Sequence, residues 1–278
     1  MCIRDRAEDE IARKNAELET LLERIRQLDQ LKSDFFANVS HELRTPLALI
    51  LGPVGDLLGS ATNLTDAQQR QLGVVQRSAA SLLKHVNDLL DLSRLDAQRM
   101  DLHCTRVDLA ALVREQAERF HAVAPQHDLR YAVSTPETLP AIVDADKTER
   151  ILQNLLSNAF KFTPPGGRIR CTLERLGPTR CLLSVQDSGP GVAPEHRPRI
   201  FERFRQVQSG TTRQHGGTGL GLSIAKEFTD LMGGTLIVTD APGGGALFQV
   251  ELPLEPAPGT CLYSESLPVQ ETWATPPI

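Results

Sequence analysis

Two apolar series at seven-residue spacing dominate the first part of the chain. Ile11, Leu18 and Ile25 form one series, and Leu21, Leu28 and Phe35 form a second, offset by three. This is the seam of a coiled coil, interrupted at Lys14 and Lys32. It predicts one helix over 7–34 that runs without a break into 32–46. Pro46 removes a backbone donor and crowds the preceding turn, so a kink is expected there, with the helix resuming and ending near Gly59. Thr65 and Gln68 read as a capping box opening a second helix, whose seam is Leu72, Val75, Ala79, Leu82, Val86 and Leu89. Two long antiparallel helices with a short connection cannot bury both seams alone. Pairing two such hairpins gives a four-helix bundle, so the pattern implies a homodimer.

Beyond about residue 104 the texture changes. Heptads give way to β-like runs at 168–175, 181–187, 235–239 and 246–252, alternating with helical patterns at 147–162 and about 218–231. This is the signature of an α/β sandwich, a sheet with helices on one face. The expected class is α+β, a dimeric antiparallel helical hairpin followed by an α/β sandwich. The corresponding divisions are a coiled coil at 7–34, a hairpin domain at 35–100 and a sandwich at 105–253. Residues 254–278 carry five of the eighteen prolines and no periodicity, and read as a disordered tail or linker.

Bulk properties exclude several classes. A net charge of -5 gives no case for nucleic-acid binding. No apolar run reaches the ~18 residues of a membrane span, and the first residues lack the apolar core of a signal peptide. None of the five cysteines lies in a CxxC pair, so neither zinc nor a redox motif is indicated. Cys171 and Cys181 flank a hairpin and are expected to be reduced.

His41 sits on the first helix with Glu42 beside it and Thr45 one helical turn on. Neutral imidazole offers a nucleophilic nitrogen near neutral pH. Attack through one ring nitrogen acidifies the proton on the other, and an adjacent carboxylate can receive it, the general-base role open to Glu42. A hydroxyl at Thr45 shares that face and could orient a water. One histidine of seven is by itself ordinary polar surface, and His85, beside the second seam, is read that way. The assignment of His41 rests on the string around it.

Four segments of the second domain carry a nucleotide argument. In 154–163, Asn154, Asn158 and Lys161 share one helix face. An amide oxygen suits Mg²⁺, which bridges substrate phosphates, and Lys161 offers charge to phosphate oxygens. In 187–192, Asp187 can accept a hydrogen bond from an exocyclic amine, and Gly189 and Gly191 permit close backbone approach. In 216–222, Gly217, Thr218, Gly219, Leu220 and Gly221 open a helix, where free N–H groups attract anions. The Lys-Ser/Thr ending of a P-loop is absent, and no strand precedes the loop as a Rossmann unit requires. In 200–206, Phe201 and Phe204 read as core anchors ahead of a polar lid at 206–215. Each segment alone fits an ordinary turn or a solvated helix face.

Together, residues 35–46 and 82–96 resemble the H-box and dimerisation hairpin of sensor histidine kinases. The four later segments, in this order, resemble the N, G1, F and G2 boxes of that family's ATPase domain. The resemblance spans about residues 30–253. It implies ATP and Mg²⁺ as cofactors, with Asn154 as the magnesium ligand, Asn158 and Lys161 on phosphates, Asp187 on the adenine amine and Phe162 against the ring. Many relatives have tyrosine at the Phe162 position, so a hydroxyl contact is lost here. His41 would be phosphorylated and would pass the phosphoryl group to an aspartate of a response-regulator receiver domain, separate or fused downstream. A silent scaffold or phosphatase, or another ATPase of the same fold, remain as alternatives. The first leaves a full set of catalytic positions unused and the second leaves His41 unexplained. The expected location is cytoplasmic, with any membrane anchor in the parent protein lying upstream. Residues 1–6 resemble the translation of a transposon-end sequencing adapter and are expected to be a scar rather than natural sequence.

Overall fold

A computed structural model describes residues 3–60, 64–96, 100–205, 219–259 and 261–263. The chain forms two compact units, residues 1–100 and 101–278.

The first unit is a helical hairpin, α1 (Ile3–Ser60) and α2 (Asp66–Asp96). α1 stays helical through both Pro46 and Pro53 and ends one residue past Gly59. The capping box forms as the sequence predicts: the Thr65 N–H donates to Gln68 Oε1 at 2.9 Å, and the Gln68 N–H donates to Thr65 Oγ1 at 3.3 Å. These bonds satisfy donors that the first turn cannot pair. The α2 seam divides between two environments. Ala79 and Val86 are buried, with Leu90 and Leu92, whereas Val75 and Leu82 stay exposed. On α1, Leu47 is buried while Leu18, Leu21, Leu28, Phe35, Leu43, Leu49, Ile50 and Leu57 are exposed. The hairpin alone therefore leaves a long apolar face uncovered.

The second unit runs β1 (Leu102–Asp108), α3 (Leu109–His121), β2 (Arg130–Ser134), β3 (Pro140–Val143), α4 (Ala145–Phe162), β4 (Arg168–Leu176), β5 (Arg180–Asp187), α5 (Gly221–Leu231), β6 (Thr235–Asp240), β7 (Ala246–Pro253) and β8 (Cys261–Tyr263). A five-stranded sheet has the order β2-β4-β5-β7-β6, and a three-stranded sheet has the order β3-β1-β8. Pairing in the larger sheet is antiparallel except between β2 and β4. Its inner face presents Ile169, Cys171, Leu183, Val185, Phe248 and Val250 to Ile151, Leu152, Leu155 and Leu156 of α4 and Ile224 and Phe228 of α5, all buried. Burying each large apolar side chain contributes about 1.5–3 kcal/mol, which fixes α4 against the sheet.

Two aspartates cap helices and brace the smaller sheet. Asp108 caps α3 through Ala110 N and also accepts from Leu139 N at 2.8 Å. Asp144 caps α4 through Lys147 N, accepts from His103 N of β1 at 2.9 Å, and pairs with Lys147 Nζ at 2.6 Å. One carboxylate thereby satisfies donors on two elements and sets where each helix starts.

Two expectations require correction at the chain's end. The sandwich does not stop at 253: Leu254 is 4% exposed, donates to Thr179 O and accepts from Ile142 N. Cys261–Tyr263 then adds a strand parallel to β1. Cys104 on β1 forms a disulfide with Cys261, at a Cα–Cα distance of 5.7 Å and a sequence separation of 157. Spacing alone cannot reveal a pair that only strand addition brings together. Cys171 and Cys181 are free and buried, and burial pushes the Cys171 thiol up to about 12 and the Cys181 thiol up to about 11. Residues 264–278 lie outside the described residues. Among the described residues no helix is long and apolar enough to cross a membrane.

Candidate active site

His41 lies within α1, and its side chain is outside the described residues. Glu42 and Thr45 are exposed on the same helix, while Ser40 and Leu47, seven apart, are buried. Arg44, three positions after His41, ties this stretch to α2: its Nη2 donates to Asn87 Oδ1 at 2.8 Å.

In the second unit, Asp187 ends β5 and is 5% exposed. Its Oδ1 accepts from Gly189 N at 2.8 Å and from Ala246 N at 3.2 Å. Burial pushes its carboxyl above the usual range, and the two backbone donors oppose that rise by stabilising the anion.

Asn154 is 3% exposed on α4, and its Nδ2 has no hydrogen-bond partner. A buried amide left unsatisfied costs about 1–3 kcal/mol. The amide abuts the start of α5, where a Cβ on Gly221 would come 3.0 Å from Asn154 Oδ1. A neutral amide oxygen is a hard ligand of the kind Mg²⁺ accepts, so the residues present fit that ion. Asn158 is half-buried one turn further along α4, and Lys161 Nζ lies 4.9 Å from the Phe162 ring centroid. Phe162 closes the helix with half its surface exposed, as a ring available for stacking must be.

The remaining segments converge on these groups. The Gly189 Cα backs onto the Phe162 carbonyl, Gly191 packs on Gly245, and Gly219, at φ +72°, packs on the Phe204 and Arg205 backbone. Leu220 is buried and its carbonyl accepts from Ile224 N and Ser223 Oγ, starting α5. Gly217, Thr218 and the lid residues 206–215 lie outside the described residues. Phe204 is not a core anchor. It is 65% exposed and occupies the left-handed region at φ 59°, because 201–204 turns rather than forming a helix that could bury it. Phe201 is half-buried, and the fully buried apolar residue of this segment is Ile200, 7% exposed.

Sequence reasoning missed the β6–β7 turn. Gly245 and Ala246 close over Asp187 and supply one of its two donors. The Pro-Gly-Gly-Gly run at 242–245, between two strands, was the available signal.

Residues 143–256 match the family described as histidine kinase-, DNA gyrase B-, and HSP90-like ATPase, and residues 31–98 match the His Kinase A (phospho-acceptor) domain. Sensor histidine kinase TmoS of Ectopseudomonas mendocina is 50% identical over 94% of this chain, and hybrid signal transduction histidine kinase D of Dictyostelium discoideum is 49% identical over 93%. The chain spans 27% and 17% of those two proteins. Among solved structures, full-length ShkA in complex with AMPPNP aligns with a TM-score of 0.64 at 36% identity, over 81% of this chain and 46% of that one.

Proposed function

The chain belongs to the sensor histidine kinases, and from that premise we propose that it transfers the γ-phosphoryl group of ATP to His41 and then to an aspartate of a response-regulator receiver domain. The observation that carries this reading is the convergence of Asn154 with Gly221, and of Asp187 with Gly189 and Ala246, in a chain whose α1 bears the His41 segment. The likeness to a kinase solved with AMPPNP supports ATP as the nucleotide.

Asp187, held by two backbone donors, accepts from the adenine amine, and Phe162 lies against the ring. Lys161 and Asn158 draw on phosphate oxygens. Asn154 would hold Mg²⁺, which when bound supplies neutralisation of phosphate charge. Phosphoryl transfer needs positioning and electrostatic support more than covalent help, so these residues deliver the phosphate and His41 receives it. Attack by one imidazole nitrogen forms the P–N bond as the bond to the ADP oxygen breaks, and Glu42 takes the proton that the other nitrogen sheds. Thr45 would orient water for the reverse removal of phosphate from the regulator.

The uncovered apolar face of α1 and α2 supports a homodimer in which two hairpins complete a four-helix bundle. The likeness to a hybrid kinase supports a receiver domain, fused or separate, as recipient. Reliance on ATP and a regulator carries with it a cytoplasmic location. The test is labelling with γ-labelled ATP: an acid-labile, base-stable label on the chain is expected. Phosphate release without retained label would point to a plain ATPase, and absence of both to a silent scaffold.

A further inference from the structure

The outer face of the five-stranded sheet treats its charges differently at its two ends. At one end Arg180 pairs with Glu251 across neighbouring strands. At the other end stand Arg130, Arg168 and Arg170, all exposed, with no ion pair or side-chain hydrogen bond among the described residues. Their positions are set by register. Arg130 on β2 lies directly beside Arg168 on β4, and Arg170, two residues on and so on the same face, lies beside Gln186 of β5. Like charges on directly opposed residues destabilise a sheet. Arginines on a sheet surface are commonly just solvated, but these three line one concavity of about 420 Å³ with Gln186 and Ser188. That volume falls in the range of small-ligand sites, about 300–1,000 Å³. Asp187 also lines this concavity, but it follows Gln186 on β5, so its buried carboxylate projects to the face opposite the arginines.

We propose that Arg130, Arg168 and Arg170 form a second anion site, on the outer face of the sheet, that takes a compact polyanion of the phosphate class. Guanidinium groups present planar forks of N–H donors that match phosphate oxygens two at a time. Three of them around one hollow suit a group with several negative charges, and binding relieves their mutual repulsion. A free polyphosphate and the polyphosphate tail of a nucleotide share this chemistry.

The probe is inorganic tripolyphosphate, titrated calorimetrically into the full chain, alone and after addition of one equivalent of a non-hydrolysable ATP analogue. One tripolyphosphate is expected to bind in both cases. The double variant R168Q/R170Q should weaken it tenfold or more, and R130Q alone about threefold. R180Q, on the same face but taken from a paired charge, should leave it unchanged. The affinity of the analogue's first equivalent should not change in any of these variants. A second equivalent of the analogue, competed off by tripolyphosphate and lost in R168Q/R170Q, would identify the nucleotide tail as the source. The melting temperature of R168Q/R170Q should match or exceed the parent's, since like charges are removed, and R130Q serves as an independent variant. Absence of tripolyphosphate binding, its loss once a single equivalent of the analogue is bound, or equal binding by parent and R168Q/R170Q would overturn the site. The arginine titration without analogue needs no nucleotide, so it stands apart from the kinase reading.

Discussion

Gly245 lies so close to Asp187 that a Cβ placed on it would come 2.0 Å from the Asp187 carbonyl oxygen. The glycine also sits at φ +101°, a region that side chains avoid. The β6–β7 turn can therefore fold over the end of β5 only with glycine there. That closeness brings Ala246 N to the Asp187 carboxylate.

Gly245→Ala is accordingly expected to lower stability by roughly 2–4 kcal/mol, combining left-handed strain with backbone overlap, and to weaken ATP binding. Gly243→Ala, at φ +87° but with open space around it, should lose only about 1–2 kcal/mol. Urea unfolding of both variants measures the difference, and equal losses would show that the Asp187 contact is unimportant.

Asp187→Asn should weaken ATP binding at least tenfold while leaving the fold as stable as the parent's or more so near neutral pH. Burial raises the Asp187 carboxyl in the folded state, so the folded protein holds this proton more tightly than the unfolded chain. The stability it contributes is present below the unfolded carboxylate value and is lost as pH rises through the raised one. The variant's thermal advantage should therefore shrink as pH falls toward the ordinary carboxylate range. Melting curves across that range check the sign, and an advantage that grows on acidification would contradict it.

His41→Gln is expected to abolish labelling from γ-labelled ATP yet leave nucleotide affinity intact, since residue 41 lies outside the second unit. Asn154→Asp should do the converse, lowering Mg-ATP affinity while its His41 still accepts phosphate from an active partner subunit. Mixed dimers of the two variants separate these effects. Normal labelling of Asn154→Asp by itself would remove Asn154 from the metal role.

Thr45→Ala should separate two activities. Autophosphorylation largely persists because His41 and Glu42 are untouched, whereas dephosphorylation of the regulator slows without the hydroxyl. Time courses with a phosphorylated receiver domain provide the comparison. Equal loss of both activities would indicate damage to the helix next to Pro46 instead.

The hairpin was legible in the sequence because its signals are local. The capping pair Thr65 and Gln68 spans a single turn, and its bonds form as read. The strong alternation of β7, buried at every second residue from Ala246, was legible for the same reason. β2 was not: Arg-Tyr-Ala-Val-Ser is five residues long with none of them fully buried, too little pattern to distinguish from a loop. β8 was missed because three residues in a proline-rich stretch become a strand only by pairing with β1.

By itself the sequence determined the residues that could do chemistry, because each motif places its groups within a turn or two of helix or at one strand end. His41 with Glu42, and Asn154 with Asn158 and Lys161, are set by helical periodicity alone. Tertiary structure decided which distant backbone completes each group. Ala246 N reaches Asp187 from 59 residues away, and Gly221 seats against Asn154 from 67 positions on. It also decided that Phe204 faces solvent and that Cys104 meets Cys261. Such contacts depend on strand order and on how closely two backbones can approach, and neither is written in the spacing of residues along one segment.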